Sequence, residues 1–223
     1  MSDLTYRLIT AGPSPYGRKV DVVLHEKGIA FERVYDLPWA EATHTRRHSP
    51  LEQLPILLPE KGEPVWDSAL IVDWLEIMHP DPPLMPQVRD ARIHCMRRRT
   101  LGERIMEIAQ ALIFEVHRDP PAEITVDRLT RKIEGGLSAL EKLYDHRTGG
   151  KLECDQGDIA LATTLLCWEF IIAEGISPPL PILTWRGKHR AIDKCVFKME
   201  ARPSFMKTAP QAMQVDIAGE VAV

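Results

Sequence analysis

The sequence predicts an α/β N-terminal domain followed by an all-α helical-bundle C-terminal domain. Two observations carry this. Up to about residue 79, short β-rich runs interleave with helical stripes, whereas beyond the stretch "HPDPPLMP" (79–86) apolar residues recur at helical spacing almost throughout. Four prolines in those eight residues cannot continue a helix, so they read as the linker between domains spanning 1–79 and 87–223, with the linker proper at 80–86.

The elements follow in order. "LTYRLIT" alternates apolar and polar residues and reads as a strand at about 4–10. Val20, Val23 and Leu24 continue at helical spacing and are closed by Lys27 and Gly28, a basic last turn and a C-terminal cap. "FERVY" (31–35) reads as a second strand, and a weakly patterned helix is expected within 40–48. "PILLP" (55–59) and "EPVW" (63–66) flank Lys61 and Gly62 as a short hairpin. Leu70, Ile71, Trp74, Leu75 and Met78 form a further stripe, which completes the order β-α-β-α-β-β-α. In the second domain Val126, Leu129, Ile133, Leu137 and Leu140, and then Ile192, Cys195, Val196 and Met199, mark helices. Asp155 is the expected N-cap of "CDQGDIALATTL", with Asp158 three residues on as a carboxylate form of the capping box. Gly135 and Gly136 interrupt a helical pattern without a sequence-level reason, and the tail after about Ala209 is expected to be loosely held.

A chain of 223 residues with 44% hydrophobic content can bury a real core, and its net charge of −4 gives no drive toward nucleic acid or an anionic membrane. The N-terminus lacks the pattern of a signal peptide, and the apolar run "IALATTLLCWEFIIA" is interrupted by Glu169, so a soluble, cytoplasmic protein is expected. Cys95, Cys154, Cys167 and Cys195 are scattered without metal-ligand spacing, as free thiols of a reducing compartment. His44 and His48 stand at i, i+4 with no third ligand evident, so no metal is expected. In "MRRRTLGER", interleaved glutamates favour a solvent face or a subunit contact over nucleic acid.

Three stretches carry chemistry. In "AGPSPYGRKV", Ser14 fits the N-cap and Pro15 the first position of the first helix, where unpaired N–H groups and the positive end of the helix dipole converge. A serine there ordinarily caps its helix, but its hydroxyl also lies beside a site suited to an anion. "WDSAL" sets Asp67 next to Ser68 at another helix start, suited to an ammonium and a carboxylate side by side. In "QLPILLP", Gln53 and Pro55 open a strand, where a cis proline would leave the Leu54 amide and carbonyl free to pair with a ligand backbone.

Taken together, "SPYGRKVDVVLHEKGIAFERV", "HSPLEQLPILLPEKGEPVWDSALIVDWLE", "GDIALATTLLCWEF" and "ARPSF" resemble the cytosolic glutathione transferases, particularly bacterial members with an S-P-[YF]-x-R-K-V start. The resemblance implies a thioredoxin-like N-terminal domain, glutathione as co-substrate, a homodimer and a role in detoxification. It implies that Ser14 activates the thiol and that Leu54, before a usually cis Pro55, grips the cysteinyl unit. Gln53 would reach the glycyl carboxylate, and Asp67 with Ser68 would hold the γ-glutamyl end. The chain departs from the pattern at Asp67, where Glu is commoner, and at Ser49, where asparagine is usual. Thr10 and Tyr16 are rival hydroxyls to Ser14.

Met106, Gln110, Ile113 and Phe114 share one helix face and are the candidate pocket for a small hydrophobic electrophile, with Trp39 and Trp168 as outside candidates. The expected activity is conjugation of the glutathione thiolate to that electrophile. Two other classes stand beside it: a binding protein that kept the fold without turnover, and a glutathione-dependent thiol-disulfide oxidoreductase, which would ordinarily have a cysteine in place of Ser14.

Overall fold

A computed structural model describes residues 6–40, 43–146 and 152–213. In the N-terminal unit the order is β1 (Tyr6–Thr10), α1 (Pro15–Glu26), β2 (Phe31–Tyr35), β3 (Ile56–Pro59), β4 (Val65–Trp66) and α2 (Ser68–Met78). The sheet has strand order β2-β1-β3-β4, with β1 parallel to β2 and antiparallel to β3, and β3 antiparallel to β4. This is the thioredoxin-like arrangement. α1 and α2 pack on each other and on β1 and β3, while Ile9, Ile56 and Leu58 form a second apolar layer with Val34, Leu54 and Trp66. Of the helix expected within 40–48, residues 41 and 42 lie outside the described residues, and a three-residue 3-10 turn stands at Thr45–Arg47.

The stretch after α2 is folded rather than a free linker. Lys27 carries a side chain with no exposed area and donates to the carbonyls of His79 at 2.7 Å and Pro82 at 3.0 Å, while pairing with Glu76 at 2.8 Å. The same Glu76 carboxylate accepts the amides of Leu84 at 3.1 Å and Met85 at 3.0 Å. An ammonium withdrawn from water requires such a set of acceptors, and meeting the requirement pins the chain through residue 85 to the first unit.

The expected boundary also shifts at the other end. Residues 201–213 belong to the first unit, not to the all-α domain. Here α3 (Arg89–Val116), α4 (Glu123–Asp145), α5 (Gln156–Ala173), α6 (Arg190–Glu200) and α7 (Pro203–Lys207) complete the chain, and α7 packs against α1. Arg202 forks onto Glu26 with both bonds at 2.8 Å, and the Ser204 hydroxyl joins them. Burial alone would raise the Glu26 carboxyl, but the bonds from Arg202 and Ser204 outweigh it and hold the group below its ordinary range. Of the tail expected to be loose after Ala209, residues 214–223 lie outside the described residues, while Gln211 donates its amide to the Gly12 carbonyl.

In the second unit α5 is buried on nearly every side and packs against α3 and α6, while α4 packs against α3 and α6. Its length and composition would suit a membrane span, but its burial is that of a core helix. The expected capping box forms: Asp155 accepts the amides of Gly157 and Asp158, and Asp158 accepts that of Asp155. Arg98, 2% exposed, reaches both carboxylates, Asp155 at 2.5 Å and Asp158 at 2.6 Å. The Arg97–Arg99 run therefore does not depend on a second subunit for acidic partners at Arg98, and Arg99 donates to Gln156 at 2.6 Å. Trp168 is fully buried core rather than a pocket residue.

The paired glycines of α4 separate into two cases. A Cβ on Gly136 would meet Cγ2 of Ile105 at 2.4 Å, so this glycine permits close approach of α4 to α3, whereas one on Gly135 meets nothing within 4 Å. Gly136→Ala is expected to lower the denaturation midpoint. Gly135→Ala, exposed and at a helical φ, is expected to raise stability by up to about 1 kcal/mol through helix propensity. Urea unfolding of the two variants checks both, and equal effects would contradict the packing account.

Candidate active site

Strand register gathers three chemically distinct loops at one end of the sheet. Ile9 pairs with Ile56, and Ile56 pairs with Trp66, so the C-terminal end of β1, the start of β3 and the end of β4 lie side by side. The residues just beyond those ends are Ala11–Ser14, Gln53–Pro55 and Asp67–Ser68. β2, parallel to β1, delivers Asp36 to the same end, where its amide donates to the Thr10 carbonyl at 3.0 Å. Residues far apart in sequence are thus assembled by backbone pairing.

Ser14 is the N-cap of α1, with extended backbone at φ −67° and ψ 117°, and Pro15 follows at the first helical position. Its Oγ accepts the Gly17 amide at 3.1 Å. That bond uses a lone pair. The hydroxyl hydrogen donates to no group among the described residues, so capping the helix and donating to a ligand are compatible in the same side chain. Thr10, a rival hydroxyl, is 4% exposed and lies under the first turn, where a Cβ on Gly17 would stand 1.9 Å from its Oγ1. Tyr16 is half-buried within α1.

The Leu54–Pro55 peptide bond is cis. Neither the amide nor the carbonyl of Leu54 is hydrogen-bonded among the described residues. Pro55 is buried, Leu54 half-buried and Gln53 exposed. Across the hairpin, Asp67 caps α2 through Oδ1, which accepts the amides of Ala69 at 2.9 Å and Leu70 at 3.1 Å. Its other oxygen takes no bond among the described residues. Ser68 is 6% exposed and its hydroxyl has no hydrogen-bond partner among them. The two non-glycine residues with positive φ among the described residues, Glu52 at 51° and Asp67 at 69°, sit in or beside these two segments. Backbone held in a sparsely populated region concentrates where geometry serves a site.

Two features of this end were beyond reach of the sequence. Asp36 accepts from the Leu37 amide through Oδ1 and from the Thr43 and Thr45 hydroxyls and the His44 and Thr45 amides through Oδ2. One carboxylate thereby organises the loop that carries the half-exposed Trp39. Gly12 is met by the C-terminal segment: its carbonyl accepts the Gln211 amide and its own amide donates to Met213. An Asp after a strand and a Gly before a Pro were the available signals, and neither indicates which distant residues answer them.

Met106, Gln110, Ile113 and Phe114 all lie on α3 in the second unit. Met106 and Ile113 are buried, Phe114 is half-buried and Gln110 is exposed. His44 is exposed and His48 half-buried, flanking the 3-10 turn.

A thioredoxin-like unit followed by an all-α unit is the fold of the cytosolic glutathione transferases. Residues 13–77 match the family described as glutathione S-transferase, N-terminal domain. A glutathione S-transferase from Methylobacterium radiotolerans JCM 2831, solved in complex with glutathione sulfonate, is 39% identical, with 95% of this chain and 97% of that chain covered and a TM-score of 0.83. One from Methylobacillus flagellatus KT with glutathione bound is 27% identical over 93% of this chain and all of that one, with a TM-score of 0.81. The uncharacterized GST-like protein YibF of Escherichia coli (strain K12) is 26% identical over 204 residues, 92% of this chain and 98% of its own length. The chain belongs to the glutathione S-transferase family.

Asp36 predicts an acid response of the site loop. Burial alone would raise its carboxyl, but the bonds from Thr45 and Thr43 and the loop amides outweigh this and hold it below its ordinary value of 3.8. A depressed folded value means that the stabilisation is complete above that ordinary value and is lost as the pH falls through the folded one. Asp36→Asn is expected to flatten the acid limb of the unfolding profile and lower stability at neutral pH. Thermal melts of both proteins from pH 2 to 7 check it, and identical profiles would contradict the role of Asp36.

Proposed function

We propose that the protein conjugates glutathione to small hydrophobic electrophiles. The observation that carries this reading is the convergence at one sheet end of three groups: a Ser14 hydroxyl whose hydrogen has no acceptor among the described residues, a Leu54 backbone unpaired among them, and the Asp67–Ser68 pair. Bound glutathione and glutathione sulfonate in the two bacterial transferases above support it. Asp67 and Ser68 hold the γ-glutamyl end through one free carboxylate oxygen and one hydroxyl, Leu54 before Pro55 pairs with the cysteinyl backbone, and Gln53 reaches the glycyl carboxylate.

The chemistry required of the protein is modest. A free thiol titrates near 8.5, so it is mostly protonated at neutral pH, and the thiolate is the nucleophile. A hydrogen bond from Ser14 to the charged sulfur contributes about 1.5–3 kcal/mol, or roughly one to two pKa units, and the N-terminus of α1 adds to it. The thiolate sulfur then attacks the electrophilic carbon, forming a C–S bond as halide leaves or as the electron pair moves onto an acceptor. The α3 residues Met106, Gln110, Ile113 and Phe114 are proposed as the contacts of the electrophile. A thiol-disulfide reaction is disfavoured because the four cysteines are all buried in the second unit, and burial pushes the Cys95 thiol up to about 12. The exposed Leu70, Ile77 and Met78 of α2, Val88 just before α3, and Ile93 and Met96 of α3 are apolar surface that a homodimer would cover in a reducing cytoplasm.

Ser14→Ala is expected to leave glutathione affinity nearly intact while raising the pKa of the bound thiol by about one to two units, with conjugation of a chloronitroaromatic falling accordingly near neutral pH. Ultraviolet titration of bound thiolate in both proteins checks it, and unchanged titration would reduce Ser14 to a helix cap. Asp67→Ala is expected to weaken glutathione binding the most among the site variants, as read by calorimetry. Absence of heat with the unaltered protein at millimolar glutathione would overturn the reading. Light scattering is expected to return twice the 25.3 kDa chain mass.

A further inference from the structure

The turn that presents Ser14 is held from outside by the far end of the chain. It is closed internally by one backbone bond, Ser14 amide to Ala11 carbonyl at 3.1 Å. Pro13 contributes no amide hydrogen, so the remaining polar groups of Gly12 need partners from elsewhere. They find them in the C-terminal segment: the Gln211 amide donates to the Gly12 carbonyl at 3.1 Å, and the Gly12 amide donates to the Met213 thioether at 2.8 Å. The approach leaves no room for a side chain, since a Cβ on Gly12 would meet the Gln211 carbonyl oxygen at 2.7 Å and Met213 Cγ at 3.2 Å.

The segment that makes these bonds is itself anchored to α1. Arg202 forks onto Glu26, Arg18 donates to the Phe205 carbonyl at 3.3 Å, and the Arg18 guanidinium stands 5.4 Å from the centre of the Phe205 ring. The Thr208 hydroxyl closes the last turn on the Ser204 carbonyl at 2.9 Å. Residues 201–213 thus form a strap fixed to the helix behind Ser14 and bonded to the turn in front of it.

We infer that Gln211, through its backbone amide, and Met213, through its sulfur, are positioning residues for Ser14. The inference rests on the reading of Ser14 as the thiol-binding hydroxyl. A turn released from the strap keeps its Ser14-to-Ala11 backbone bond but loses both Gly12 bonds to residues 211 and 213, so the position 14 side chain spends less time over the Gly17 amide and the helix N-terminus. Loss of the strap therefore weakens stabilisation of an anion at position 14 while leaving Asp67, Ser68 and the Leu54 backbone in place.

The test uses a reporter that does not require glutathione. In a Ser14→Cys background the four native cysteines are buried, so alkylation by iodoacetamide reports on the introduced thiol, whose pKa a helix N-terminus lowers. Adding Gln211→Pro, which removes the amide donor, is expected to shift the alkylation profile to higher pH and slow the reaction at pH 7 by about threefold or more. Gln211→Ala keeps the donor and is expected to leave the profile in place, while Met213→Leu keeps the shape without the sulfur and is expected to shift it in the same direction by less. Profiles for Gln211→Pro and Met213→Leu that superimpose on the parent overturn the inference. An equal shift in Gln211→Ala does so as well, because the side chain and not the backbone bond would then be responsible. Failure of the Ser14 protein to bind glutathione would instead remove the transferase reading, and the alkylation profiles would still decide the positioning role.

Discussion

The antiparallel register of β1 on β3, and of β3 on β4, is the constraint on which the candidate site depends. Pairing Ile9 with Ile56 and Ile56 with Trp66 fixes which loop ends are neighbours. A one-residue slip of β3 along β1 would turn Ile56 and Leu58 away from Ile9 and break up the layer they share, so the packing of that layer resists it. The chemistry at the sheet end is therefore secured by packing: burial of the strands holds Ser14, Leu54 and Asp67 in one neighbourhood, although none of the three is required for the strands to pair.

At that end, capping uses only part of each side chain. Ser14 and Asp67 each satisfy amides of an unfinished first turn, and the hydroxyl hydrogen of Ser14 and the second carboxylate oxygen of Asp67 stay without a partner among the described residues. The opposition between a capping serine and a functional serine dissolves once donor and acceptor capacities are counted separately. The positive φ of Asp67 shows that its placement is maintained against local backbone preference.

The second unit rests on a different kind of interaction. Arg98 lies buried between Asp155 and Asp158, and the same two carboxylates cap α5, so one guanidinium ties α3 to the start of the central helix. Removing Arg98 would leave two buried carboxylates without a counter-charge, and breaking a buried pair in this way typically costs about 3–5 kcal/mol. Cys195 also donates to Asp158 at 3.6 Å, which brings α6 to the same point. Gly136 and Gly102 allow the surrounding helices to approach closely, since a Cβ on Gly136 would enter Ile105 and one on Gly102 would press to 3.0 Å of the Leu161 backbone nitrogen.

Local chemistry was legible in the sequence wherever the cause was local. The alternation of "LTYRLIT", the proline after Ser14, the capping pair Asp155 and Asp158, and the stripes of α4 and α6 act within one turn or one strand, and each is realised close to where it was read. The segments bearing Ser14, Leu54–Pro55 and Asp67–Ser68 each carry a helix-start or strand-start signature, but they stood out as a set only through resemblance to the glutathione transferases. What escaped the sequence are pairings between distant residues: Arg98 with Asp155 and Asp158, Lys27 with the carbonyls beyond α2, Gly136 with Ile105, and Gly12 with Gln211 and Met213. A buried charge declares in sequence that it needs a partner, and a glycine that something comes close. Which residue answers is set by loop closure and packing in three dimensions, and those arise only when the whole chain has folded.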